Sequence, residues 1–304
     1  MNPTIGVFDS GFGGLTVLRA LTRRLPQARY AFLGDTARLP YGSKSRRTIA
    51  RYAAESAQFL VNEQGAEYLV IACNTASALA LDAIQEAVAV PVLGVIEPGA
   101  EAARAASRTG DVLVIATDAT VQSHAYATAC RAAGLRTLEK ACPLLVPLVE
   151  EGWIDHSVTA EVIRIYLKEL TAEAAALGMN PDTLVLGCTH YPLLRPLFEA
   201  AVPTGMRVID SAEAAAEAAS RYFGQIAEEE AGQSVEKLSS EAKAHSDLAG
   251  IDVRAEALTY QSFPAENASE LKCFATDSVE KFERLGSRFL GRPTGKVELV
   301  DLGG

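Results

Sequence analysis

At 304 residues, 49% of them apolar, the chain can hold one large α/β domain or two of ordinary size, and it is too rich in core-forming residues to be disordered. Its net charge of −10 is evenly spread with no Lys/Arg-rich run, and no stretch of about 18 apolar residues occurs, so nucleic-acid and membrane roles are both excluded. Five cysteines without a CxxC and four histidines support neither a disulfide framework nor a zinc site; reduced thiols in a soluble, cytoplasmic protein are expected, and the start Met1-Asn-Pro-Thr-Ile carries no basic leader.

Thr4-Ile-Gly-Val-Phe-Asp9 reads as a short strand, Ser10-Gly11-Phe-Gly-Gly14 as a turn, and the run to Arg24 as a helix. Three glycines there suit either a tight strand-to-helix turn or a cradle of main-chain N–H groups for a carboxylate or phosphate; no Walker lysine follows. Residues 29–34 form a second strand and Leu39-Pro40-Tyr41-Gly42-Ser43 a turn. Between Ser45 and Gly65, positions Ile49, Tyr52, Ala53, Ser56, Phe59 and Leu60 share one helical face, with Gly65 placed to end it. Glu67-Tyr-Leu-Val-Ile-Ala-Cys73 is an apolar strand that opens into Asn74 and Thr75, and residues 90–96 form another. Glu97-Pro98-Gly99 is the expected crossing between domains.

From Asp111 the layout restarts. Residues 112–116 form a strand with the polar tip Thr117-Asp118-Ala-Thr120; a helix runs through Cys130 and ends at Gly134; residues 142–153 are an apolar segment closing on Glu150 and Glu151. A helix over 159–177 leads into Thr183-Leu-Val-Leu-Gly187, which opens into Cys188-Thr189-His190, and residues 206–210 add a strand before a helix starting near Ser211. Residues 227–268 are acidic and weakly patterned, an insertion that is partly helical or mobile. Residues 272–276 and 297–302 read as strands, and Asp277 with Glu280 has capping-box spacing ahead of Phe282, Leu285 and Phe289 on one helical face. Alternating strands and helices imply an α/β fold with parallel central sheets and right-handed crossovers. Two pseudo-symmetric domains are expected: 1–97 with 207–304, and 98–206, with the active site in the cleft between them.

Two thiols therefore stand at the carboxyl ends of apolar strands, where open α/β sheets bind ligands. A buried strand cysteine is usually packing, and Cys130, Cys142 and Cys273 take that reading. Cys73 and Cys188 differ in having polar neighbours at an exposed strand end. A thiol on each side of one small molecule can take a proton from carbon on one face and return one on the other. Free cysteine, with a pKa of about 8.5, needs help to do so at neutral pH. Asp9 can exchange protons with Cys73, and His190 with Cys188, while Ser10, Asn74, Thr75 and Thr189 can hold carboxylates and an amine. Glu150 alone reads as a solvated acid, and His190 alone is undecided between core and site.

These residues closely resemble the cofactor-independent glutamate racemases of bacterial peptidoglycan synthesis. The resemblance rests on Ile5-Gly-Val-Phe-Asp9-Ser10-Gly-Phe-Gly-Gly-Leu-Thr, Gly34-Asp-Thr-Ala-Arg-Leu-Pro-Tyr41-Gly42, Ala72-Cys73-Asn74-Thr75-Ala, Gly94-Val-Ile-Glu-Pro-Gly and Leu186-Gly-Cys188-Thr189-His190-Tyr-Pro, in the family's order. It implies two α/β domains with glutamate between them, no cofactor and no metal, and Cys73 and Cys188 as the acid/base thiols. Asp9 would assist the first, and His190 with Glu150, rather than Glu151, the second. Asp9-Ser10, Tyr41-Gly42, Asn74-Thr75 and Thr189-His190 match the family's substrate-contacting pairs, and a homodimer is the expected assembly. Residues 227–268 depart from the family's compact members. Other amino-acid substrates for the same thiols, and a binding protein whose cleft closes on a carboxylate ligand, are the competing readings.

Overall fold

The computed structural model describes residues 2–245 and 270–303. The first part of the chain runs β1 (Thr4–Asp9), α1 (Leu15–Arg24), β2 (Arg29–Gly34), α2 (Arg46–Gln58) extended by a π-helical turn (Phe59–Glu63), β3 (Tyr68–Ile71), α3 (Asn74–Leu79), α4 (Leu81–Ala87) and β4 (Val92–Gly94). Next come α5 (Ile96–Ala106), β5 (Asp111–Ala116), α6 (Asp118–Ser123), α7 (Ala125–Ala132), β6 (Arg136–Ala141), α8 (Leu145–Glu150), α9 (Ser157–Ala176), β7 (Thr183–Gly187), α10 (Arg195–Ala201) and β8 (Arg207–Asp210). The chain then returns through α11 (Ser211–His245) to β9 (Leu271–Ala275), α12 (Val279–Leu290) and β10 (Val297–Leu299).

The strands form two sheets, ordered β10-β9-β2-β1-β3-β4 and β6-β5-β7-β8, with every pairing parallel among the described residues. The order β2-β1-β3-β4 repeats as β6-β5-β7-β8, so β3 and β7 occupy equivalent places. All residues of β3, β5 and β7 are buried, as expected of parallel strands covered on both faces, which is why they read as unbroken apolar runs. Helix α1 packs on α11 and α12, α2 on α4, and α5 on α7 and α11, so α5 and α11 tie the two layers of the molecule together.

Several expectations change. The strand Arg207–Asp210, grouped from sequence with the first domain, pairs with Thr183–Leu186 and so belongs to the second sheet. Glu97-Pro98-Gly99, expected as the crossing between domains, is helical: it lies in the first turn of α5, which leads from β4 of the first sheet to β5 of the second, and there proline's missing N–H costs nothing. Strand β6 escaped notice because Arg136-Thr-Leu-Glu-Lys-Ala is polar and only half buried, as suits a sheet edge. The strands expected over 90–96 and 297–302 shorten to the edge strands β4 and β10. The helix expected through Cys130 is two, α6 and α7, broken at His124, which has φ 54°. No capping box forms at α12: Ser278 is the N-cap, in the left-handed region, and the Asp277 carboxylate accepts from the Ser278 backbone N–H. Of the expected insertion, the part to residue 245 continues helix α11, and residues 246–268 lie outside the described residues.

Candidate active site

Strand β1 delivers Asp9 to its carboxyl end, where the side chain is buried; the Gly11 N–H donates to Oδ2 at 2.9 Å, and Oδ1 has no hydrogen-bond partner among the described residues. Beside it, β3 delivers Cys73 to the N-cap of α3. The Cys73 thiol lies 3.4 Å from the Ser10 hydroxyl and accepts from the Ala76 N–H at 3.4 Å. Burial pushes the Cys73 thiol up to about 12, with the Asp9 charge adding to the shift and the Ser10 and Ala76 hydrogen bonds opposing it. Burial likewise raises Asp9, against the pull of the His190 charge and of the main-chain groups of Gly11 and Gly14.

Strand β7 delivers Cys188 at the equivalent place, its sulfur 4.0 Å from His190 Nδ1. His190 Nε2 meets Glu150 Oε1 at 3.2 Å, and the carboxylate that reaches the ring is Glu150's, from the last residue of α8, while Glu151 is exposed. Burial alone would depress His190, but its hydrogen bonds to Cys188 and Glu150, together with their charges, raise it to about 10. Burial works to raise Glu150, yet its bonds and charge interactions with His190 and Lys281 bring it below the ordinary carboxylate value. His190 is therefore held towards its charged form, between a sulfur and a carboxylate. Phe289 meets its ring edge-on at 5.0 Å, and Phe12 flanks it at 6.1 Å.

The glycine turn after β1 presses against the second thiol's loop. A Cβ on Gly13 would lie 2.4 Å from Thr189 Oγ1 and 2.7 Å from His190 Nδ1, and Thr16 Oγ1 donates to the Thr189 carbonyl at 3.0 Å. The glycine's visible role is thus close approach between the halves. Tyr41 is buried and donates to Asp35 Oδ2 at 2.6 Å; burial and the Asp35 charge hold its phenol far above the usual range, with Cys73 contributing. Gly42 is half-buried and faces Thr117. Asn74 Oδ1 accepts from Tyr126 at 2.7 Å while its amide donates to Ser211 Oγ at 3.4 Å. Thr75, Thr117 and Thr120 form a hydroxyl triangle with sides of 3.1, 3.3 and 3.0 Å across the two halves.

The residues singled out from sequence thus fall into two groups, Asp9, Ser10 and Cys73, and Cys188, Thr189, His190 and Glu150, in contact through Gly13. Tyr41-Gly42 and Asn74-Thr75 extend from the first group towards Thr117 and Tyr126. Sequence reasoning missed Lys281, Phe12, Phe289, Tyr126 and Ser211. Thr117 and Thr120 had been seen as a polar strand tip without a role. Among the described residues no cluster of three or more His, Cys, Asp or Glu side chains could hold a metal ion. The arrangement sets two buried sulfurs, each beside its own polar partners, among hydroxyls and amides.

Several known proteins similar to this chain share one description. The family model described as Asp/Glu/Hydantoin racemase matches residues 7–219. A glutamate racemase from Koribacter versatilis (strain Ellin345) is 52% identical over 302 residues, covering 99% of this chain and 98% of the relative. The crystal structure of glutamate racemase isoform RacE1 from Bacillus anthracis aligns with TM-score 0.76 at 34% identity, covering 99% of this chain and 98% of the other. That of the Francisella tularensis glutamate racemase in complex with D-glutamate gives TM-score 0.74 at 32% identity, with the same coverage of 99% and 98%.

Proposed function

The chain belongs to the Asp/Glu/hydantoin racemase family, among its glutamate racemases, and on that premise we propose that it interconverts L- and D-glutamate by a two-thiol exchange of the α proton. The observation that carries the mechanism is the equivalence of Cys73 and Cys188. Each follows a corresponding strand of the repeated order, and each has its own partners: Asp9 and Ser10 for one, His190 and Glu150 for the other.

A thiolate takes the α proton from one face: the Cα–H bond breaks, S–H forms, and the electron pair left on carbon spreads into the adjacent carboxylate. The opposite thiol then gives its proton to the other face, and the configuration is inverted with no net change in protons. One sulfur must start neutral and one charged. Cys73, held up at about 12, is the neutral thiol, and the His190 imidazolium is the counter-ion a thiolate at Cys188 needs. When the other enantiomer binds, Cys73 must ionise first. Asp9, raised by burial and with Oδ1 unpartnered, has a free oxygen to receive that proton. Ser10, Tyr41, Gly42, Asn74, Thr75, Thr189 and His190 surround the substrate's charged groups, in a cleft between one lobe built on each sheet. The D-glutamate formed would serve peptidoglycan synthesis, made in the cytoplasm by a homodimer. Among the described residues no helix is long and apolar enough to cross a membrane.

Metal-free protein in heavy water should place deuterium at the α carbon of either enantiomer. Cys73→Ala and Cys188→Ala should each lose turnover by about a thousandfold or more. Unchanged racemisation by either variant would reject the pairing.

A further inference from the structure

We propose that Lys281, on α12, is a positioning residue for the Cys188 half of the reaction, acting through Glu150 and His190; this rests on the two-thiol reading. Glu150 has two oxygens and both are engaged. Oε1 meets His190 at 3.2 Å and Oε2 faces Lys281 Nζ at 3.7 Å, so one carboxylate spans the imidazole and the ammonium. Lys281 Nζ also lies 5.7 Å from the centre of the Phe12 ring, the same ring that flanks His190.

The pair is not an isolated surface contact. Seven residues on from Lys281, Arg288 donates to the Val149 carbonyl at 3.4 Å, and its guanidinium fills the space where a Cβ on Gly152 would fall. Phe289 follows, edge-on to His190 and 5.5 Å from Phe12. Positions 281, 288 and 289 share one face of the helix. That face grips the end of α8 and the imidazole together, from an element that lies beyond the 7–219 span of the family model. With both oxygens fixed, Glu150 holds the ring orientation that directs Nδ1 at the Cys188 sulfur. Freed of Lys281, the carboxylate can rotate towards solvent and the ring loses its fixed orientation.

The test is the primary deuterium isotope effect on kcat/KM with α-deuterated L- and D-glutamate, for the wild type, Lys281→Met, Lys281→Arg and Cys188→Ala. Lys281→Met should lower kcat about two- to fivefold, the scale of a partly exposed ion pair. It should also raise the isotope effect for the enantiomer whose proton Cys188 takes and lower it for the other, because proton transfer at one sulfur alone becomes slower. Lys281→Arg should restore both. A loss of folded protein alone would leave the two isotope effects at wild-type values, and that result overturns the proposal, as does Arg behaving like Met. If Cys188→Ala is inactive while Lys281→Met shows wild-type isotope effects, only the role of Lys281 falls. If Cys188→Ala keeps turnover, the two-thiol reading fails and takes this inference with it.

Discussion

Gly13 is the point where the two thiol loops meet. The atoms that a methyl group would strike are the ends of Thr189 and His190, not backbone, so Gly13→Ala should fold while displacing the imidazole. On the proposed mechanism a shift of this size in the proton-exchanging ring costs about a hundredfold, and kcat read beside a thermal melt should show that drop with little change in Tm. His190 makes a second, pH-dependent demand. Its folded pKa of about 10 lies above the ordinary 6.5, so its contribution to stability is complete below about 6.5 and disappears as pH rises through about 10. Glu150, lowered by the same pairing, contributes only above its ordinary 4.5 and loses that contribution as pH falls. The gap in urea midpoint between wild type and His190→Asn should therefore be widest near pH 6 and close towards pH 10. Asp9, Cys73, Cys188 and His190 were legible because each ends or follows an apolar strand. Lys281 and Tyr126 were not, because their roles arise from contacts to Glu150 and Asn74 that no local pattern records.

At the scale of elements, α12 shows how a valid local signal can lose to tertiary geometry. Asp277 and Glu280 have the spacing of a capping box, yet the chain arriving from β9 must turn sharply, and Ser278 is forced to φ 54° with no side-chain cap bond. A serine in that region is strained, and glycine is not. Ser278→Gly should stabilise the protein by about 0.5 kcal/mol or slightly more, read as a rise in urea midpoint at constant slope. The apolar face of α12 was nonetheless read correctly, since Phe282, Leu285 and Phe289 are all buried. Strand β6 is the reverse case. It carries charge because it is an edge strand, and Lys140 and Glu139 pair with Glu169 and His124.

Over the whole molecule, the doubled layout was visible in sequence as two polar strand tips followed by two thiol strands. The membership of β8 was not, because Val208 and Ile209 would suit either sheet and only the pairing with β7 decides. The return of the chain through α11 to β9, which pairs with β2, means that the C-terminal residues complete the first sheet and also brace the imidazole beside Cys188. On the proposed mechanism the matched strand orders carry unlike helpers, a carboxylate and a hydroxyl on one side and an imidazole–carboxylate pair on the other. Mirror-image solutes are equally stable in water, so the equilibrium ratio between them is unity whatever protein stands between. Any unevenness in the helpers must then cancel in kcat/KM, and it can surface only as a faster forward turnover matched by a proportionally weaker apparent affinity in that direction.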